Sequence, residues 1–172
     1  MVPTWDLVLL VFLGASVIYG FLMGQEKVLM TLLGAYVGLV IANQWGASAY
    51  GLLTGGQVTA ISSEWIEGNV SVFTIKVVLF VAALLIVALR GGMLASAFVG
   101  GRGLMGLVVQ VGYSLLSAAL IAGSILEFLP EETKLQITDG SLIAGPLLSY
   151  YSWLLVMPVL LMAIAGFLNR GE

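Results

Sequence analysis

Apolar positions in this chain come in long, nearly unbroken runs, not at the three-to-four-residue spacing of a helix with one wet face. The clearest run, Gly103 to Leu126 (GLMGLVVQVGYSLLSAALIAGSIL), carries no charge. About 20 helical residues cross the hydrocarbon core of a bilayer, which is about 30 Å thick, so this stretch predicts a membrane span. Arg102 stands before it, and Glu127, Glu131 and Glu132 stand after it. Similar runs predict helices over residues 7–24, 28–45, 71–90 and 146–168, beside 103–128. The pattern therefore predicts an all-α integral membrane protein, residues 1–172 forming one domain of about five transmembrane helices.

The polar breaks between the runs set the connections. Gly24-Gln25-Glu26-Lys27 is so short that helices one and two must form an antiparallel hairpin. Residues 46–69 shift to Gly, Ser, Thr and Ala and predict the longest loop, lying on the membrane interface or dipping into it. Gly91 to Gly101 reads as a glycine-bracketed connector, and PEETKLQITDG after Leu129 reads as an acidic, solvated loop. Pro146 suits a first helical turn, and Pro158 predicts a kink within the fifth helix. The opening residues lack a basic segment, so no cleaved signal peptide is expected and the first run is expected to stay in the membrane.

Charge then orients the bundle. Asp6, Glu64, Glu67, Glu127, Glu131, Glu132 and Asp139 fall on the face that holds the N-terminus, against Lys134 and a nearby Lys76. Lys27, Arg90, Arg102 and Arg170 fall on the other, against Glu26 and Glu172. The positive-inside rule places the second face in the cytoplasm, which predicts N-terminus out and C-terminus in. Trp5, Trp45, Trp65 and Trp153, with Tyr150 and Tyr151, gather at boundaries of the first face as an aromatic belt would. A four-span arrangement, with the fifth helix on the surface, would move only the C-terminus.

Composition narrows the function classes. The 172 residues are 60% hydrophobic and 9% charged, with a mean hydropathy of +1.12, so lipid must be the solvent. A net charge of -3 argues against nucleic acid as a partner. With no Cys and no His, thiolate chemistry, disulfides and imidazole-held metals or haem have no residues to work with. No cofactor is expected, and no intramembrane acidic pair or phosphate-binding loop suggests an enzyme. The GGRG around Arg102 lacks the strand-loop-helix setting of a nucleotide site.

Three polar side chains inside the runs are the candidates for chemistry. Lys76 lies about a turn and a half into helix three, where it can snorkel toward Glu67 or Glu64 or face a substrate path. Gln110 sits about two turns into helix four, where its amide needs a partner on another helix or faces a pore. Asn43, beside Gln44, lies near the end of helix two. Gly20-xxx-Gly24 and Gly34-xxx-Gly38 are small-xxx-small motifs, and Ser114, Ala118 and Ala122 repeat that spacing. Such grooves serve packing within one chain or self-association.

Trp5-Asp6, Gly14, Gly20-Phe21, Gly24, Gly34 and Gly38, followed by Arg102-Gly103-Leu104-Met105-Gly106, give residues 1–128 a pattern that resembles the colicin V production protein family of bacterial inner-membrane proteins. Tyr19 stands where members usually carry Arg, and the acidic residue expected beside Arg102 is missing. The resemblance implies a non-enzymatic envelope component linked to toxin or bacteriocin export and membrane homeostasis. The residues themselves leave two classes open: an accessory or scaffold protein that packs against itself or another membrane protein, and a channel or small-solute transporter subunit with Lys76, Gln110, Asn43 and Gln44 lining a cavity in an oligomer.

Overall fold

A computed structural model describes residues 5–54, 71–90 and 104–168. They are helical nearly throughout: α1 Trp5–Met23, α2 Gln25–Thr54, α3 Val72–Arg90, α4 Leu104–Glu127, α5 Glu131–Gly140, α6 Ala144–Ser149 and α7 Tyr151–Leu168. Among the described residues four helices are long and apolar enough to cross a membrane: Trp5–Met23, Gln25–Leu52, Val72–Arg90 and Gly106–Glu127. The apolar stretch of α7, Tyr151–Ile164, is shorter than these.

Helix α4 is the axis of the bundle, packed by α1, α2 and α7, while α3 packs chiefly on α2. Helix α1 runs antiparallel to α4: Leu9 packs with Ala122 and Leu126, and Gly20 meets Ser114. Helix α2 starts beside Gly106 and climbs parallel to α4. The predicted antiparallel hairpin of α1 and α2 is therefore present. Its turn is a single residue, Gly24, at φ +83, a left-handed conformation that only glycine adopts without strain.

Close approach over small residues supplies much of the packing, the means by which helices associate where lipid is the solvent. Helices α2 and α3 show this most plainly. A methyl group on Gly34 would stand 2.9 Å from the Leu84 carbonyl oxygen, and one on Gly38 would stand 2.7 Å from that of Phe80. Leu29, Leu32, Ala35, Ala42, Phe80, Tyr113 and Leu120 fill the shared core. Phe80 meets Phe128 edge to face, with centroids 5.8 Å apart.

Several boundaries differ from the sequence expectations. Helix two extends to Thr54, well past residue 45, so the first part of the expected 46–69 loop is helix; residues 55–69 lie outside the described residues. At about 1.5 Å per residue, its 30 residues make α2 about 45 Å long, more than a bilayer core requires. The acidic segment after Pro130 is the helix α5, not a loop. Glu131 and Glu132 occupy its first turn, where carboxylates favour the positive end of the helix dipole. The expected helix over 146–168 is divided at Tyr150 into α6 and α7; the Tyr150 N–H donates to the Pro146 carbonyl at 2.9 Å, and α7 continues through a buried Pro158. The 91–101 connector, Glu64, Glu67, Trp65, Arg102 and Arg170 lie outside the described residues.

Helices α5 and α6 close one end of the bundle. Ile137 and Ala144 pack with Leu9 and Leu126, and the Asp6 carboxylate accepts the Ser141 hydroxyl at 2.5 Å and the Ile143 N–H at 3.0 Å. Ser141 Oγ in turn accepts the Ala144 N–H at 3.0 Å, closing the turn that leads into α6.

Candidate functional site

The seam where α1 and α2 flank α4 holds three buried polar residues, Gln25, Ser114 and Ser117. In the last turn of α1, Gly20 has no side chain, so its carbonyl lies open toward α4. Gln110 Nε2 donates to that oxygen at 2.6 Å. One turn earlier on α4, the Gly106 carbonyl accepts Gln25 Nε2 at 2.8 Å. The two amides form reciprocal side-chain-to-backbone links, one from α4 to α1 and one from α2 to α4. Gln25, read from sequence as part of a polar break, is instead a buried residue in the first turn of α2. The signal that could have found it is the shortness of the break: one glycine suffices for the turn, which pushes Gln25 back into the bundle.

Beside these links a cleft of about 40 Å³ opens among Ser16 and Tyr19 of α1, Thr31 of α2, and Ser114 and Ser117 of α4. Thr31 Oγ1 donates to the Lys27 carbonyl at 2.9 Å, and Ser114 Oγ donates to that of Gln110 at the same distance. A second buried hydroxyl pair sits nearer the capped end, where Ser124 donates to the Leu120 carbonyl at 2.7 Å and lies 3.1 Å from the Tyr151 hydroxyl. Tyr36 donates to the Leu155 carbonyl at 2.5 Å, joining α2 to α7. None of these tyrosine contacts was anticipated from sequence.

The three sequence candidates do not meet. Gln110 lies toward the Gly24 end, in the link to Gly20. Lys76 lies toward the opposite end, its aliphatic carbons over Gly46 and its ammonium 5.6 Å from the centre of the Phe128 ring. That is a cation–π contact at the level where α4 ends. The expected partners Glu64 and Glu67 lie outside the described residues. Asn43 is exposed on α2, three residues before Gly46, on the Lys76 side of the molecule. Of the candidate packing glycines, Gly20, Gly34 and Gly38 are filled by contacts within this chain, whereas Gly24 makes the turn and has open space around it.

The acidic cluster is organised by a lysine. Lys134 Nζ lies 3.1 Å from Glu131 Oε1 and 3.3 Å from Glu127 Oε1, tying α5 to the end of α4. Its side chain is largely enclosed, and burial alone would push its pKa down. Hydrogen bonds to Glu131 and Glu127 outweigh that and hold it above the ordinary lysine value.

Comparison with known proteins gives no relative: no family model matches the chain, and neither a curated protein nor a solved structure matches it.

Proposed function

We propose that this chain is a non-enzymatic multi-pass membrane protein, an accessory or scaffold component of a bacterial inner membrane. In this reading α7 is the fifth span, the N-terminus faces out and the C-terminus faces in. The observation that carries it is the Gln110–Gly20 link. The amide deepest in α4 is spent on holding α1, and Gln25 is spent in the same way on Gly106. Groups that serve a solute path are left facing a cavity; these two face backbone carbonyls. The sequence resemblance to the colicin V production family supports the same class and suggests a connection to toxin or bacteriocin export and membrane homeostasis.

With Gly20, Gly34 and Gly38 occupied inside the chain, a partner would use other faces. The outer side of α1, with Leu10, Val11, Ile18 and Leu22 exposed and Gly14 open, is one such face. A second reading, a channel or small-solute transporter subunit, draws on Asn43 and Gln44, which stand exposed on α2 where another copy could cover them.

Ion and small-solute flux into liposomes holding the purified protein separates the two. The scaffold reading expects no flux from wild type, Lys76→Met or Gln110→Leu. Flux from the wild type that either substitution reduces would overturn it and make those residues the site.

A further inference from the structure

The cleft between α1, α2 and α4 has a feature that packing leaves unexplained. Ser117 is 4% exposed, yet among the described residues its hydroxyl has no hydrogen-bond partner. Ser16 and Tyr19 across the cleft likewise have none among the described residues. Among the described residues no fully sealed side-chain oxygen or nitrogen lacks a partner, so what remains open of Ser117 opens into this cleft. The lining segment of α4, Ser114 to Ile121, is the middle of the apolar run Gly106–Glu127. An unpaired hydroxyl at that depth is costly, because hydrocarbon offers it nothing to bond.

We propose that the cleft is an intramembrane water site, holding a small cluster bonded to Ser117, Ser16 and Tyr19. The volume fits: a buried water needs about 10–15 Å³ of such space and two to four polar partners, so about 40 Å³ takes about three. The same volume is too small for a lipid headgroup, and the middle of α4 is too deep for one. A fatty chain would leave three hydroxyls unsatisfied. The cluster lies beside Ser114, whose Oγ fills the space next to Gly20, so the water hydrates the same seam that Gln110 fastens. The site is independent of whether the protein acts as scaffold or channel subunit.

The test is magnetisation transfer from water protons in solid-state NMR of the labelled protein in lipid bilayers. Ser124 is the internal control, also buried but bonded to Leu120 and close to the Tyr151 hydroxyl. Ser117 and Tyr19 are expected to receive water magnetisation early, and Ser124 late. Ser117→Val, which fills the cleft and removes its deepest hydroxyl, is expected to abolish early transfer at Tyr19. Transfer to Ser117 as slow as to Ser124, or transfer to Ser117 from acyl-chain protons instead, would overturn the proposal. Early transfer at Tyr19 that survives Ser117→Val would overturn the role of Ser117 as its anchor.

Discussion

The amide of Gln110 and the carbonyl of Gly20 meet at 2.6 Å, across the two helices α4 and α1, and the same oxygen accepts the Gly24 N–H at 3.0 Å. One main-chain oxygen thus fastens α1 to the bundle axis and closes the turn into α2. Helix α1 needs the fastening, because Leu9 and Gly20 are its only fully buried residues.

Gln110→Leu removes the link but leaves the Gly20 oxygen its bond from Gly24. The expected loss is about 0.6–2 kcal/mol, toward the lower end. Gly20→Ala should cost more, about 1–3 kcal/mol, because the new methyl would collide with Ser114 Oγ and stand 2.8 Å from Ser114 Cβ. The hydroxyl can rotate away; the Cβ moves only if the helices part. Unfolding in mixed micelles, followed by tryptophan fluorescence, measures both. A Gly20→Ala protein as stable as wild type would refute the close approach.

Two glycines inside helices should respond in opposite directions. Gly38→Ala drives a methyl against the Phe80 carbonyl, a backbone atom that has no rotamer to change, so α2 and α3 must separate, at about 1–3 kcal/mol. Gly14→Ala meets nothing within 4 Å and should be neutral or stabilising by up to about 1 kcal/mol through helix propensity. The same unfolding assay ranks the pair. Equal losses at the two positions would mean that glycine content, not contact, sets the effect.

The long apolar runs were legible in the sequence because length and lack of charge mark a helix apolar enough to cross a membrane, and α1, α3 and α4 lie within two residues of where those runs predict them. The side-to-side sorting was legible too: Asp6, Lys76 with Phe128, and Tyr151 with Ser124 all fall at the end that closes on α5 and α6. What sequence hid was how polar residues are spent. Gln25 looked like a loop residue because polarity in a short break reads the same whether it is solvated or turned inward. The α5 helix was missed although Pro130 followed by Glu131 and Glu132 is a helix-start signal, because its low hydrophobicity masked it. The division at Tyr150 has no apolar signature at all, and neither has the contact of Ser141 with Asp6, which ties the segment before α6 to α1 across 135 residues.

That pairing makes its own prediction. Asp6→Ala removes the acceptor of both the Ser141 hydroxyl and the Ile143 N–H, and frees Ser141 Oγ from its place against the Ala144 N–H. Amide exchange at Ile143 and Ala144 should quicken, with the middle of α4 unchanged. Unchanged protection at those two amides would show that the apolar contacts of Leu9, Ile137 and Ala144 suffice to hold the cap.

The Lys134 tie gives a pH dependence of definite sign. Because Glu131 and Glu127 hold the folded-state pKa of Lys134 above its ordinary 10.5, the native protein keeps this proton more tightly than the unfolded chain does. The resulting stability is fully present below about pH 10.5 and is lost as pH rises through the folded value. It is small, about 0.2–1 kcal/mol, since Glu131 is 82% exposed and water screens the pair. Tyrosines ionise in the same alkaline range, so the wild-type curve alone does not isolate the lysine. The difference between wild type and Lys134→Met does: it should be constant at neutral pH and shrink toward zero above pH 10.5, read as loosening of α5 by amide exchange or limited proteolysis. A difference that stays constant to higher pH would mean that the Lys134 chain supports α5 by its packed carbons rather than by its charge.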